Sequence, residues 1–285
     1  MQEGLGVNYR HSFHAGNFAD VFKHCLLVGL IRAMQAKEKG IVFVDTHAGR
    51  GAYDLGAASV GDTRPREPEW PAGIGRLGDA AGAPDSVAQY AALVGSFRAS
   101  RGPDFYCGSP RIAAALARPQ DRLELWEKQP GECAALRAEM AGVPRAAVHE
   151  ADGYGAIRAC LPPRERRGLV LLDPPFEDGD EWRSVAAALG EGVRRFPTGT
   201  YAVWHPLTER ALPGDFESGL GALGAPALHA ALVVDPGAAM GGCGVYIVNP
   251  PWKFDEEARL CTAYLAGVLQ RAGAPQGSVR WIVSR

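Results

Sequence analysis

Apolar residues in this chain fall into short unbroken blocks separated by amphipathic stretches. The first block is IVFVD (Ile41 to Asp45), directly after Gly40; the others are LELWE (Leu123 to Glu127), LVLLD (Leu169 to Asp173) and YAVWH (Tyr201 to His205). A β-branched and aromatic run without polar alternation is the pattern of a strand covered on both faces in a parallel sheet. Helical patterns lie around these runs. Residues 17 to 40 have Asn17 as cap, Val21, Leu27, Val28 and Ile31 at helical spacing, and Gly40 as stop, and GECAALRAEM and EWRSVAAALGEGVRRF follow later. Strand alternating with helix predicts a doubly wound α/β fold with right-handed crossovers. Two late runs, ALVVD and VYIVNP, are spaced to form a terminal hairpin on the sheet.

The rhythm breaks once. Between the first and second strands lies the stretch Thr46 to Arg122, where a βαβ unit needs only about 30 residues in total. Its first part, to Pro84, is rich in Gly and Pro; DSVAQYAALVGSFRASR (Asp85 to Arg101) is an amphipathic helix. The chain therefore divides into residues 1–55 (N-terminal arm, helix and start of the main domain), an inserted helical subdomain at 56–105 projecting from the sheet, and the remainder at 106–285.

Composition narrows the classes. With 30 Lys and Arg against 32 Asp and Glu, the net charge of −2 shows no global basic bias, and 36 Gly and 21 Pro without a repeat period exclude a collagen-like chain;. No apolar run approaches the roughly 18 residues of a membrane span, and the N-terminus lacks the shape of a signal peptide. A soluble cytoplasmic protein is expected. Six cysteines with no C-x-x-C pair fit reduced thiols;.

Ligands of open α/β sheets bind at the carboxyl ends of the strands. After Asp45 comes THAGRG, with Gly49 and Gly51 allowing a tight turn close to a nucleoside. Glu127 ends the second strand, where a carboxylate can accept from ribose hydroxyls, and Asp152 with Gly153 follows the short run AAVHEA. The sharpest signal is Asp173-Pro174-Pro175-Phe176, directly after LVLLD. An aromatic amine is a poor nucleophile because its lone pair is delocalised. Hydrogen bonds from that amine to the Asp173 side chain and the Pro174 carbonyl favour a tetrahedral nitrogen aimed at an electrophile, for which S-adenosylmethionine provides the methyl group. Two prolines stiffen the turn, and Phe176 offers a face for a flipped base. Asn249-Pro250-Pro251-Trp252 matches the same pattern but follows the hairpin, with no glycine loop nearby; it is assigned to structure. His11 and His14 lack a third ligand, so no metal site is expected.

YRHSFHAGNFADVFKH, VDTHAGRGAY, YCGSP, the Glu127 strand, EADGY and LVLLDPPF together resemble the bacterial 23S ribosomal RNA adenine-N(6)-methyltransferase family, over nearly the whole chain and in the same order. The resemblance implies a monomeric, Rossmann-like class I methyltransferase using S-adenosylmethionine on one rRNA adenine. By position it places cofactor contacts on Lys23, His24, His47, Ser109, Glu127, Asp152 and Gly153, the catalytic residue on Asp173, and a substrate-side aromatic on Tyr9. Arg10 joins Tyr9 and Phe176 as a substrate-side candidate. The family's aromatic after the prolines is usually Tyr and here is Phe176, and Phe18 replaces a commonly polar residue. A DNA adenine methyltransferase, or a cofactor- or RNA-binding module without catalysis, are the alternatives; the absence of a separate target-recognition domain favours a structured RNA. Arg10, Lys23, Arg164, Arg166, Arg167, Arg194 and Arg195 are expected to line an RNA-facing side, with no obligate protein partner.

Overall fold

A computed structural model describes residues 13–56, 68–78, 80–176, 180–208, 213–274 and 276–284. Asn17 starts helix α1 (Phe18–Gln35), its side-chain oxygen accepting from the amides of Ala19 at 2.9 Å and Asp20 at 3.0 Å. The helix ends before Gly40, which has a different role. A Cβ at Gly40 would stand 2.3 Å from the Gln120 carbonyl oxygen, so the missing side chain lets two loops cross.

The four sequence-predicted strands are β1 (Val42–Asp45), β4 (Arg122–Glu127), β6 (Gly168–Leu172) and β7 (Thr200–Leu207). With β5 (Ala146–Glu150) they run parallel in the order β5-β4-β1-β6-β7. Alternation along β1 and β6 serves two cores. Phe43, Leu169 and Leu171 face a cluster with α1, α4 (Ser109–Leu116) and α5 (Pro130–Glu139), whereas Val42, Val44, Val170 and Leu172 face one with α6 (Ala156–Cys160), α7 (Glu181–Arg195) and α8 (Pro213–Ala222). This is the doubly covered, Rossmann-like arrangement.

Two expectations are corrected. ALVVD and VYIVNP do form antiparallel neighbours, β8 (Ala227–Val233) and β9 (Gly242–Val248). The hairpin is not terminal, however, because β10 (Gln276–Val283) pairs outside β8 after helix α9 (Phe254–Leu269). The inserted stretch does not simply project. A short antiparallel pair, β2 (Ala52–Asp54) with β3 (Phe105–Cys107), closes its base. Its helix α3 (Asp85–Arg101) packs Val87, Tyr90, Val94 and Phe97 into the same core as α1 and α9, because its apolar face is long enough to need a partner. Upstream, α2 (Ile74–Leu77) is clasped by the N-terminal segment. The Ile74 amide donates to the Gly16 carbonyl at 2.8 Å, and Asn17 Nδ2 donates to Glu69 Oε2 at 2.8 Å.

Candidate active site

The parallel strands finish on one edge of the sheet, and the acidic strand ends converge there. Glu127 holds the glycine turn after β1: its Oε2 accepts from the Gly49 amide at 2.9 Å and its Oε1 from Gln129 at 2.7 Å. Gly49 and Gly51 have φ of +59° and +82°, which glycine adopts without strain. Asp152 caps the 3-10 turn Gly153–Gly155 through the Tyr154 amide at 3.1 Å. At Gly153 a Cβ would lie 1.7 Å from the Thr46 carbonyl oxygen, so this turn reaches the end of β1 only because the residue is glycine.

Beneath the turn, fully buried Asp45 accepts from Ser109 Oγ at 2.7 Å and from the His47 amide at 3.3 Å. Burial pushes its carboxyl up to about 7 against the Ser109 hydrogen bond, with Asp173 adding repulsion;. Burial also takes His47 down to about 4, against the attraction of Asp173 and Asp152, so its imidazole is neutral at physiological pH. His47 packs edge-on against Tyr154 with 5.2 Å between ring centres.

Asp173 follows β6 beside this turn. Its Oδ2 accepts from Lys23 Nζ at 2.6 Å, and Lys23 also donates to Asp20 Oδ1 at 2.8 Å. Lys23 is buried, with only 6% of its side chain exposed. Desolvation alone would lower its pKa, but Asp173 and Asp20 overcome it and hold the ammonium well above the usual lysine range. The remaining Asp20 oxygen accepts from the Gly16 amide at 2.9 Å. Asp173 Oδ1 has no hydrogen bond among the described residues.

An aromatic wall completes the edge. Phe176, with φ of +50°, packs on Trp182 at 5.0 Å and Trp204 at 6.1 Å between ring centres. Lys23 Nζ lies 5.9 Å from the centre of the Trp204 ring. Asp20, Trp182 and Trp204 were not singled out from the sequence. Asp20 reads as a helix-capping residue, and the tryptophans as ordinary core. The i,i+3 spacing of Asp20 and Lys23 on a capped helix was the one available signal.

The other expected residues are distributed unevenly. Pro174 is buried in the turn. His24 is buried away from solvent, its Nδ1 2.7 Å from the Tyr106 hydroxyl, which in turn lies 2.9 Å from that of Tyr90. Tyr9, Arg10 and His11 lie outside the described residues; His14 pairs with Glu69 at 3.0 Å.

The cations expected to line one RNA-facing side do not border the catalytic edge. Arg164, Arg166 and Arg167 precede β6, and Arg194 and Arg195 end α7 just before β7. All five therefore sit at the amino edge of the sheet, opposite Asp173, while Lys23 is buried in an ion triad. The Asn249 motif is at that far edge too. Strand β9 runs antiparallel to β7, pairing Val248 with Tyr201 at the start of β7. Asn249 Nδ2 is occupied by the carbonyls of Pro197 at 2.7 Å and Gly199 at 2.9 Å.

Comparison with known proteins gives the family. The family model described as ribosomal RNA large subunit methyltransferase D, RlmJ, matches residues 38–283. Proteins named ribosomal RNA large subunit methyltransferase J from Haemophilus influenzae and Escherichia coli are each 38% identical over 281 residues, covering 97% of this chain and 99% of theirs. A crystal structure of a Legionella pneumophila protein superposes with a TM-score of 0.83 at 31% identity, covering 94% of this chain and 97% of that one. With relatives aligned end to end and the strand-end carboxylates gathered on one edge, the chain belongs to the RlmJ family of ribosomal RNA large subunit methyltransferases.

Proposed function

We propose that the protein transfers a methyl group from S-adenosylmethionine to the exocyclic N(6) amine of an adenine in 23S rRNA. The observation that carries this reading is the placement of Asp173-Pro174 directly beside the β1 glycine turn, with one Asp173 oxygen anchored by buried Lys23 and the other without a hydrogen bond among the described residues.

The residues present fit the cofactor. The approach of Gly153 to Thr46 leaves no room for a side chain, and the glycine turn, Glu127, His47, Asp152 and Gly153 lie at the carboxyl edge of the sheet, with Ser109 buried behind them on Asp45. Lys23 and His24 complete the set implied by the family pattern, Lys23 through its hold on Asp173 and His24 from the layer behind. When bound, S-adenosylmethionine supplies an electrophilic methyl group. Asp173 Oδ1 and the Pro174 carbonyl accept hydrogen bonds from the adenine amine and aim its lone pair, so most of the acceleration comes from positioning. The amine sheds one proton as the N–C bond forms, and Asp173 is the carboxylate at hand to accept it. Phe176, backed by Trp182 and Trp204, supports the base once it has left its stack, a contact worth about 1–3 kcal/mol. Tyr9 and Arg10 are proposed as further substrate contacts.

The test is incorporation of labelled methyl from S-adenosylmethionine into unmodified 23S rRNA, duplex DNA and no nucleic acid. Label is expected in the rRNA alone, with Asp173→Ala at least about a thousandfold slower. Label in DNA but not rRNA rejects the substrate, and full activity in Asp173→Ala rejects the site.

A further inference from the structure

The amino edge of the sheet, remote from the chemistry, is strongly basic in a protein whose net charge is −2. The loops entering β1, β4, β5 and β6, together with the 249–253 segment, hold eight Lys and Arg against three Asp and Glu. Some of these cations are structural. Arg118 pairs with Asp121 and donates to the carbonyls of Gln35, Lys37 and Lys39, and Arg167 donates to those of Met34 and Lys39. Lys37, Lys39, Arg145 and Arg166 are different: all four are exposed, and none has an ion pair among the described residues. Trp252 of the unused Asn-Pro-Pro-Trp motif stands at the same edge, 78% exposed. It borders a cleft of about 240 Å³ whose lining mixes Arg32 and Lys253 with Asp85 and Glu257, so the cations proposed to meet phosphate are those outside the cleft.

Unpaired cations and an exposed indole spread along one edge of the sheet match a polyanion that also offers aromatic faces. We propose that this amino-edge face is a second RNA-binding surface, in which Lys37, Lys39, Arg145 and Arg166 contact phosphates and Trp252 stacks on an unpaired base. It rests on the rRNA reading above and adds a docking site for RNA flanking the target. The five residues of β6 separate the two edges by about 17 Å. That lies within reach of a long rRNA, but beyond a hairpin just large enough to fill the catalytic edge. Local charge segregation also explains how a near-neutral protein holds a polyanion.

The test compares wild type with the fourfold variant Lys37→Gln, Lys39→Gln, Arg145→Gln, Arg166→Gln, and separately Trp252→Ala. Filter binding of full-length 23S rRNA is measured without cofactor over a salt series, and methylation kinetics follow on that RNA and on a short hairpin carrying the modified adenine. For the fourfold variant we expect affinity for 23S rRNA to fall at least about tenfold. The slope of log affinity against log salt should shrink by about three, near 0.7–0.9 per lost phosphate contact. Its kcat and its KM for the hairpin should stay unchanged, which also shows that it folds. Trp252→Ala should weaken 23S rRNA binding at least about fivefold without altering the salt slope. Replacing the same positions by the other cation, as in Lys39→Arg, should restore binding. Wild-type affinity and slope in the fourfold variant would overturn the proposal and leave the face to an acidic protein; so would equal losses on the hairpin. Wild type that binds 23S rRNA but does not methylate it would count against the catalytic reading instead.

Discussion

Replacing Lys23 by Met removes the cation from the Asp20–Lys23–Asp173 triad while keeping the length of the side chain. At separations of 2.8 and 2.6 Å and an effective dielectric constant near 20, each pair contributes roughly 6 kcal/mol of attraction, most of it offset by the desolvation of three buried charges. The variant keeps the desolvation of both carboxylates and loses the attraction, so it should be destabilised by about 3–5 kcal/mol. The effect has a pH signature. Without Lys23, buried Asp20 is left without its cation, and protonating it relieves the uncompensated charge, so the variant gains stability as pH falls. In the wild type the lysine pKa is raised, so its contribution is complete below the unfolded value near 10.5 and does not change between pH 5 and 7.5. Urea denaturation at both pH values should therefore show a deficit that is largest at pH 7.5 and smaller at pH 5. A deficit below about 1 kcal/mol at pH 7.5, or one independent of pH, would refute the assignment of the triad as a coupled buried unit.

Three further outcomes follow from the same edge and its opposite. Asn249→Ala loses two hydrogen bonds to Pro197 and Gly199 at a residue with φ of +51°. It should lower stability by about 2–3 kcal/mol with kcat retained; loss of kcat at unchanged stability would move the chemistry to the second motif. Gly153→Ala forces a Cβ to 1.7 Å from the Thr46 carbonyl, and calorimetry should show cofactor affinity reduced at least about tenfold; wild-type affinity would mean the turn does not shape the site. Asp45, raised from 3.8 to about 7, makes wild-type stability fall as pH rises across that window, by about 4 kcal/mol in all. Asp45→Asn should flatten that decline in chemical denaturation profiles, and an unaltered profile would show that the carboxyl is not held neutral.

Local pattern was enough for the parts of the fold that are locally encoded. A strand buried on both faces has little room for polar side chains, so β1 and β6 are legible as near-continuous apolar runs, and β4 and β7 as apolar runs interrupted where the strand is only half-buried, as at Glu124. A helix start must satisfy its free amides, so Asn17 is legible as a cap. The Asp-Pro-Pro-Phe turn was legible because a carboxylate and a stiff, donor-poor backbone follow a strand next in the α/β alternation, where open sheets bind ligands, whereas the equally stiff Asn-Pro-Pro-Trp turn follows the hairpin. By contrast, β10 was invisible: on the outer edge half of its residues are exposed and none is fully buried, so nothing compels a continuous apolar run. Gly40 looked like a helix stop because only the crossing of the Gln120 loop reveals the close approach.

Tertiary structure alone decided which chemistry-bearing residues meet. Two nearly identical motifs end up on opposite edges because β6 is parallel to β1 whereas β9 is antiparallel to β7, and strand direction is a property of the pairing rather than of either segment. The same rule carried Arg164, Arg166 and Arg167, only a few residues before Asp173 in the chain, to the far edge of the sheet. It brought Lys23, 150 positions away, into contact with that aspartate. Sequence specifies what each residue can do; the direction of the strands specifies which residues act together.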